Sequence, residues 1–169
     1  MKITLDHNVV IDLVNGTARV SNLRAQIEAG VYQPFVVEIG ASEMRERGIQ
    51  PDRYDLFETL LCDAGLDAAP RLAPLGIYDV TFYDHCLWSS KELDAEVDGI
   101  ESILFVDSPP ARPGSKIWLN RTCDVMSMWC HIRAENDVFA TSDGNFFKTS
   151  KLPRLISLGA KRVARPEEL

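Results

Sequence analysis

Ile3-Thr4-Leu5-Asp6-His7-Asn8-Val9-Val10-Ile11-Asp12-Leu13 is the stretch whose reading decides the fold. Ile3 and Leu5 lead into Asp6, and a second apolar run, Val9-Val10-Ile11, follows it. A short apolar run of this kind suits a central strand buried on both faces of a parallel sheet. Asp6 then ends that strand, where a buried carboxylate costs several kcal/mol unless something compensates it. Two roles answer that cost. Asp6 or Asn8 caps the next helix, or a metal cation lies against the carboxylate.

Working outward, Asn15-Gly16 is a turn signal. Residues 17–29 read as a helix through Val20, Leu23 and Ile27, with Gly30 as its stop. Val31–Ile39 is a second strand. Ser42 then caps a charged helical segment that puts Glu43 in its first turn and closes at Gly48. Pro51 opens another helix, with Leu56, Phe57, Leu60 and Leu61 as apolar positions. Ala68–Pro74 is a loop or short strand, and Leu75–Val80 a further short strand. Glu92–Glu101 is an acidic helix, and residues 108–114 are a Pro- and Gly-rich break.

Past the break, Thr122 caps a helix over 123–136, whose core face is Val125, Met128, Trp129 and Ile132. That cap places Asp124 in the first turn. Residues 137–141 are a strand running into Ser142-Asp143-Gly144-Asn145. A helix over 152–158, stopped by Gly159, and an edge strand at 161–166 complete the chain. Strands alternating with helices predict an α/β domain over 1–169, with a mostly parallel central sheet and helices on both faces.

The 169 residues are about one domain, 46% apolar and 25% charged, an ordinary globular composition. No apolar run reaches the roughly 18 residues of a membrane span, and no signal peptide is visible. Cys62, Cys86, Cys123 and Cys130 form no CxxC pair, so they read as reduced thiols of a cytoplasmic protein. The net charge of −7 is unevenly distributed. Residues 1–111 hold 8 Lys and Arg against 19 Asp and Glu, and residues 112–169 hold 10 against 6. The basic tail, with Arg121, Lys148 and Lys151 foremost, is a candidate rim for a phosphate backbone.

Asp6, Glu43, Asp124 and Asp143 all fall at a strand end or a helix start, and the carboxyl edge of a parallel sheet is where ligands bind. Four carboxylates gathered there repel one another and call for a partner. Oxygen ligands without His or Cys suit Mg²⁺ or Mn²⁺. Asp12 reads as a first-turn helix charge and Glu38 as a sheet-face residue. His7, His85 and His131 read as surface or satisfied-core residues.

The opening Leu5-Asp6-His7-Asn8 resembles that of PIN-domain ribonucleases. Ser42-Glu43-Met44-Arg45 is similar to their second motif, Asp124 with its helix to the third, and Thr141-Ser142-Asp143-Gly144-Asn145-Phe146 to the fourth. The resemblance covers residues 1–48 and 120–168, while residues 49–119 form a longer middle segment than compact members have. It implies a metal-dependent endoribonuclease in which Asp6, Glu43, Asp124 and Asp143 hold Mg²⁺ or Mn²⁺, supported by Asn8, Thr141 and Asn145. By size the nearest relatives are the ribonuclease toxins of bacterial toxin–antitoxin pairs, which implies an antitoxin partner and a homodimer, with Phe82, Tyr83, Leu87 and Trp88 as contacts. The alternative is a catalytically silent module of the same fold that acts through a protein or RNA partner. A phosphatase of the haloacid dehalogenase type ranks last, because Asn8 stands where its second aspartate belongs.

Overall fold

The fold is described by a computed structural model covering residues 1–44 and 53–169. Its centre is β1 (Lys2–Leu5). β1 pairs in parallel with β2 (Gln33–Val37) on one side and with β4 (Val138–Ala140) on the other, so Leu5 lies between Val36 and Ala140. β3 (Arg71–Leu72) extends the sheet beyond β2, and β5 (Val163–Ala164) extends it beyond β4. The order is β3-β2-β1-β4-β5, parallel throughout. The strands predicted at the start of the chain, within 31–39 and at 137–141 are thus members of one sheet, with the first in the middle.

Alternation along the strands divides the core between the two sheet faces. Ile3, Leu5, Val36 and Val138 point to one face and meet Val9, Val10 and Leu13 of α1 (His7–Val14), Leu23 of α2 (Ser21–Glu28), and Phe57 and Leu61 of α4 (Arg53–Asp63). Val37 and Phe139 point to the other face and meet Ile100 and Leu104 of α5 (Lys91–Leu104) and Met128 and Trp129 of α6 (Lys116–Arg133). Helices therefore cover both faces. Each fully buried aliphatic or aromatic side chain contributes roughly 1.5–3 kcal/mol, so the two layers hold the sheet from both sides.

Thr4 points toward α6, where a leucine would be the ordinary choice. Its hydroxyl accepts from Asn136 Nδ2 at 2.8 Å and faces His131 Nδ1 at 2.9 Å. The other ring nitrogen of His131, Nε2, donates to the Ala160 carbonyl at 3.0 Å, so Nδ1 is the acceptor and Thr4 the donor. Burial pushes His131 down to about 4, and of the two roles the sequence leaves open, surface or satisfied core, this neutral imidazole takes the second. His7 is also buried and shifted down to about 4 by desolvation, but its Nδ1 has no hydrogen-bond partner. Its ring lies against Phe57 and Gly40. A Cβ on Gly40 would come within 2.9 Å of both, so only glycine admits this close packing of α1 against α3 (Gly40–Glu43).

Several local expectations are corrected. α6 begins at Lys116 rather than Cys123, because Ser115, just after the left-handed Gly114, accepts from Trp118 N at 3.2 Å. Thr122 is inside that helix and donates back to Trp118 O, so Asp124 sits mid-helix and not in the first turn. Ser42 is inside α3 rather than its cap, and its hydroxyl reaches Val80 O at 2.6 Å. Residues 17–29 open with a 3₁₀ turn (Ala18–Val20) before α2. Leu75–Val80 is no strand: it forms a single bridge, Leu75 to Leu87, and otherwise turns. Arg45, the stop at Gly48 and the start at Pro51 lie outside the described residues.

Candidate active site

β1 continues leftward through α1 and α2 to β2, while β4 lies on the other side of β1. The strand order thus reverses between β1 and β4, the point at which an open parallel sheet offers a crevice beyond its carboxyl ends. Asp6 follows β1 there, and Thr141-Ser142-Asp143 follows β4. Asp6 fills both roles that its position raises. Its Oδ1 accepts from His7 N at 2.9 Å as the N-cap of α1, while Oδ2 accepts from Thr141 Oγ1 and Asn8 Nδ2, each at 2.6 Å.

Those two supports are themselves held. Thr141 Oγ1 accepts from Asp143 N at 3.0 Å and from Asn8 Nδ2 at 3.3 Å. Asn8 Oδ1 accepts from Ser142 N at 3.0 Å. Asp143 Oδ1 caps the following 3₁₀ turn (Gly144–Phe147) by accepting from Asn145 N at 2.8 Å. The ends of β1 and β4 are therefore stitched together by side chains, and Asp6 has one orientation.

Glu43 is on α3, beyond β2, and Asp124 is two turns into α6, and these two helices are in contact. Their electrostatics link them to Asp6. Burial lifts Asp6 above its ordinary value against the pull of its three hydrogen bonds, and the Asp143 charge lifts it further. Burial raises Glu43 well above the usual carboxylate range, with the charges of Asp6 and Asp124 adding to it. Burial, then Asp6 and Asp143, push Asp124 up to about 8. Each of the four predicted carboxylates thus acts on, or is acted on by, the charge of at least one other.

The remaining predicted residues divide. Asn8 and Thr141 touch Asp6 as described. The Asn145 side chain points elsewhere: its amide nitrogen reaches Leu104 O at 3.3 Å and its oxygen accepts from Lys151 Nζ at 2.6 Å. Asp12 faces Ser142 Oγ at 3.5 Å and Arg19 at 3.7 Å. Lys148 is exposed, as a phosphate-facing residue must be. Arg121 lies over the Phe105 ring, donates to Pro109 O at 2.8 Å, and lines a cleft of about 490 Å³ between α5 and α6. Lys151 is a correction. It is 2% exposed, and its ammonium donates to Leu104 O and Asn145, so it ties α5 to the turn after Asp143 and is not on the basic surface.

Glu38, read from sequence as a sheet-face residue, is instead the centre of a buried cluster. It accepts from Tyr54 OH at 2.9 Å and His85 Nδ1 at 3.1 Å, and the Tyr54 and His85 rings stack with centroids 3.6 Å apart. Nothing in the local sequence around Tyr54 or His85 points to Glu38, because all three lie in different elements. The four cysteines are free thiols, as expected. No helix among the described residues is long and apolar enough to cross a membrane.

No family model, no curated protein and no solved structure matches the chain. Among the described residues, no three His, Cys, Asp or Glu side chains stand close enough together to hold a metal ion as placed. The four carboxylates feel one another's charge across a wider gap. The donor set nevertheless fits a hard divalent cation: it is oxygen only, and each member is held at a raised pKa or next to one that is. Such a cation is the counter-charge that would relieve the mutual repulsion.

Proposed function

We propose that the protein is a metal-dependent phosphodiester hydrolase of the PIN type, acting on RNA. The observation that supports this reading is that Asp6, Glu43, Asp124 and Asp143, from four separate elements at the carboxyl edge of the sheet, are electrostatically linked. Beside the larger effect of burial, Asp143 raises Asp6, Asp6 and Asp143 raise Asp124, and Asp6 and Asp124 raise Glu43. These four carboxylates would hold Mg²⁺ or Mn²⁺. When bound, that ion lowers the pKa of a water and neutralises charge developing on a phosphate. Thr141 and Asn8 fix the Asp6 carboxylate through Oδ2, so it need not reorganise during the reaction. Exposed Lys148, after the Asp143 turn, draws in the phosphate backbone.

The test is cleavage of a panel of end-labelled single-stranded RNAs by wild type and Asp6→Asn, purified side by side. Wild type cleaves with Mg²⁺ or Mn²⁺ and stops with EDTA, and the variant does not cleave. Equal cleavage by both assigns the activity elsewhere. No cleavage by metal-loaded wild type across the panel favours the silent binding module. The narrower reading, a toxin with an antitoxin, predicts that wild type arrests growth of an expressing cell, that Asp6→Asn does not, and that a co-expressed neighbouring gene relieves the arrest.

A further inference from the structure

Between β3 and α5 the chain makes a platform with almost no regular structure that is nevertheless firmly built. Gly76 N donates to Leu87 O and Leu87 N to Pro74 O, both at 2.8 Å. Thr81 Oγ1 accepts from Ile77 N at 2.8 Å, and Leu75 and Val80 are buried beneath. From this platform three large aromatic side chains stand out into solvent: Tyr78 is 91% exposed, Trp88 85% and Tyr83 75%. The Tyr83 and Trp88 rings meet edge to face, with centroids 6.3 Å apart. A cleft of about 220 Å³ opens between Tyr78, Tyr83 and Trp88, and a second of about 430 Å³ lies on the far side of Tyr83, along Tyr54 and His85. The two clefts share Thr81 and Tyr83. Clustered exposed aromatics on a rigid base mark an interaction surface.

The charge around them selects the partner. Asp79 lines the first cleft and Asp55 and Asp84 the second, and no described Lys or Arg lines either. Aromatic platforms also suit unpaired bases, but a field of this sign repels a phosphate backbone. Guanidinium and ammonium groups are attracted both by ring faces and by carboxylates.

We propose that this face docks an arginine- or lysine-bearing segment of a partner protein, with a cation against Tyr83 and Trp88 and an apolar neighbour in the adjoining cleft. The site is separate from the carboxylate cluster, and the proposal does not depend on the nuclease reading. The test titrates the full-length protein with a fluorescein-labelled eight-residue peptide of alternating Arg and Leu, read by anisotropy, beside the same peptide with citrulline for Arg. Wild type binds the Arg peptide and binds the citrulline peptide at least about fivefold more weakly, the scale of a cation–π contact. Tyr83→Ala and Trp88→Ala each weaken Arg-peptide binding by about fivefold with unchanged melting temperature, because both side chains are exposed. Asp84→Asn flattens the salt dependence. Unchanged binding in the Tyr83→Ala, Trp88→Ala double variant overturns the proposal. So does Trp88-dependent binding of a twelve-residue oligouridine in place of the peptide, which assigns the face to nucleic acid. A Trp88-dependent dimer in sedimentation assigns it to a second copy and overturns the proposal equally.

Discussion

Asp124→Asn removes one charge from the carboxylate cluster and leaves its shape almost unchanged. In the fold, burial and the charges of Asp6 and Asp143 move the Asp124 carboxyl from 3.8 to about 8. An acid raised in this way keeps its proton in the folded state but loses it in the unfolded chain above 3.8. Its stabilising contribution is complete below pH 3.8 and is lost as pH rises toward about 8. At about 1.4 kcal/mol per pH unit, the loss at pH 7 is about 4 kcal/mol. Asp124 is partly exposed, and solvent screening roughly halves that figure, to about 2 kcal/mol. The metal-free Asn variant therefore melts higher than wild type at pH 7, by about 4–8 °C for a domain of this size. At pH 5 only about one pH unit separates the solution from the unfolded value, so the gap shrinks to under about 1 kcal/mol. Adding Mg²⁺ or Mn²⁺ reverses the order, because wild type gains stability by mass action and the variant loses a ligand. Melting scans in EDTA at both pH values, then with metal, make the check. A variant that melts at or below wild type in EDTA at pH 7, or a gap equal at the two pH values, refutes the idea that these carboxylates are crowded.

Thr141→Val keeps the shape but removes the hydroxyl that donates to Asp6 and accepts from Asp143 N; RNA cleavage falls by about tenfold or more, the scale of losing a support to a ligating carboxylate, and retained cleavage counts against an oriented Asp6. Lys151→Met leaves the Asn145 amide oxygen without its donor and the Leu104 carbonyl with only the longer bond from Asn145 Nδ2, and urea unfolding shows a loss of about 1–3 kcal/mol; an unchanged midpoint would mean that the ammonium is dispensable. Gly40→Ala drives a methyl to 2.9 Å from His7 and Phe57 and costs about 1–3 kcal/mol by overpacking, read as a lowered urea midpoint with an unchanged slope.

Much of the site is legible because it lies next to strands. Asp6 and Asp143 each follow an apolar run, and a strand's end on the carboxyl edge of a parallel sheet is a position that can be read one residue at a time. Glu43 is legible as an acidic residue in the first turn of the helix after β2, although that helix starts at Gly40 and not after a Ser42 cap. Asp124 is legible as a carboxylate on the helix before β4, but the start of that helix is not. Residues 116–121 contain apolar Ile117, Trp118 and Leu119 in one run, which carries no helical period of its own, so the local pattern favours a cap at Thr122 over the actual one at Ser115. The error matters physically: a mid-helix aspartate gains nothing from the helix's N-terminal dipole, which leaves burial and its neighbours to set its proton affinity.

What the chain alone determined is what neighbouring residues enforce on one another: the alternation that places Ile3 and Leu5 on one face, the turn at Asn15-Gly16, the amphipathic face of α6, and Asp6 at a strand's end. Tertiary structure decided what depends on partners far along the chain. Lys151 reads as one cation in a basic tail, yet the Leu104 carbonyl 47 residues away buries it. Glu38 reads as a strand residue, yet Tyr54 and His85 close over it. The same holds for the cluster itself, since Asp6, Glu43 and Asp124 acquire their raised proton affinities only from desolvation and from nearby carboxylates, Asp143 among them. Hydrophobic period and turn chemistry act over a few residues, whereas the cost of burying a charge is settled by whatever the rest of the fold brings to it.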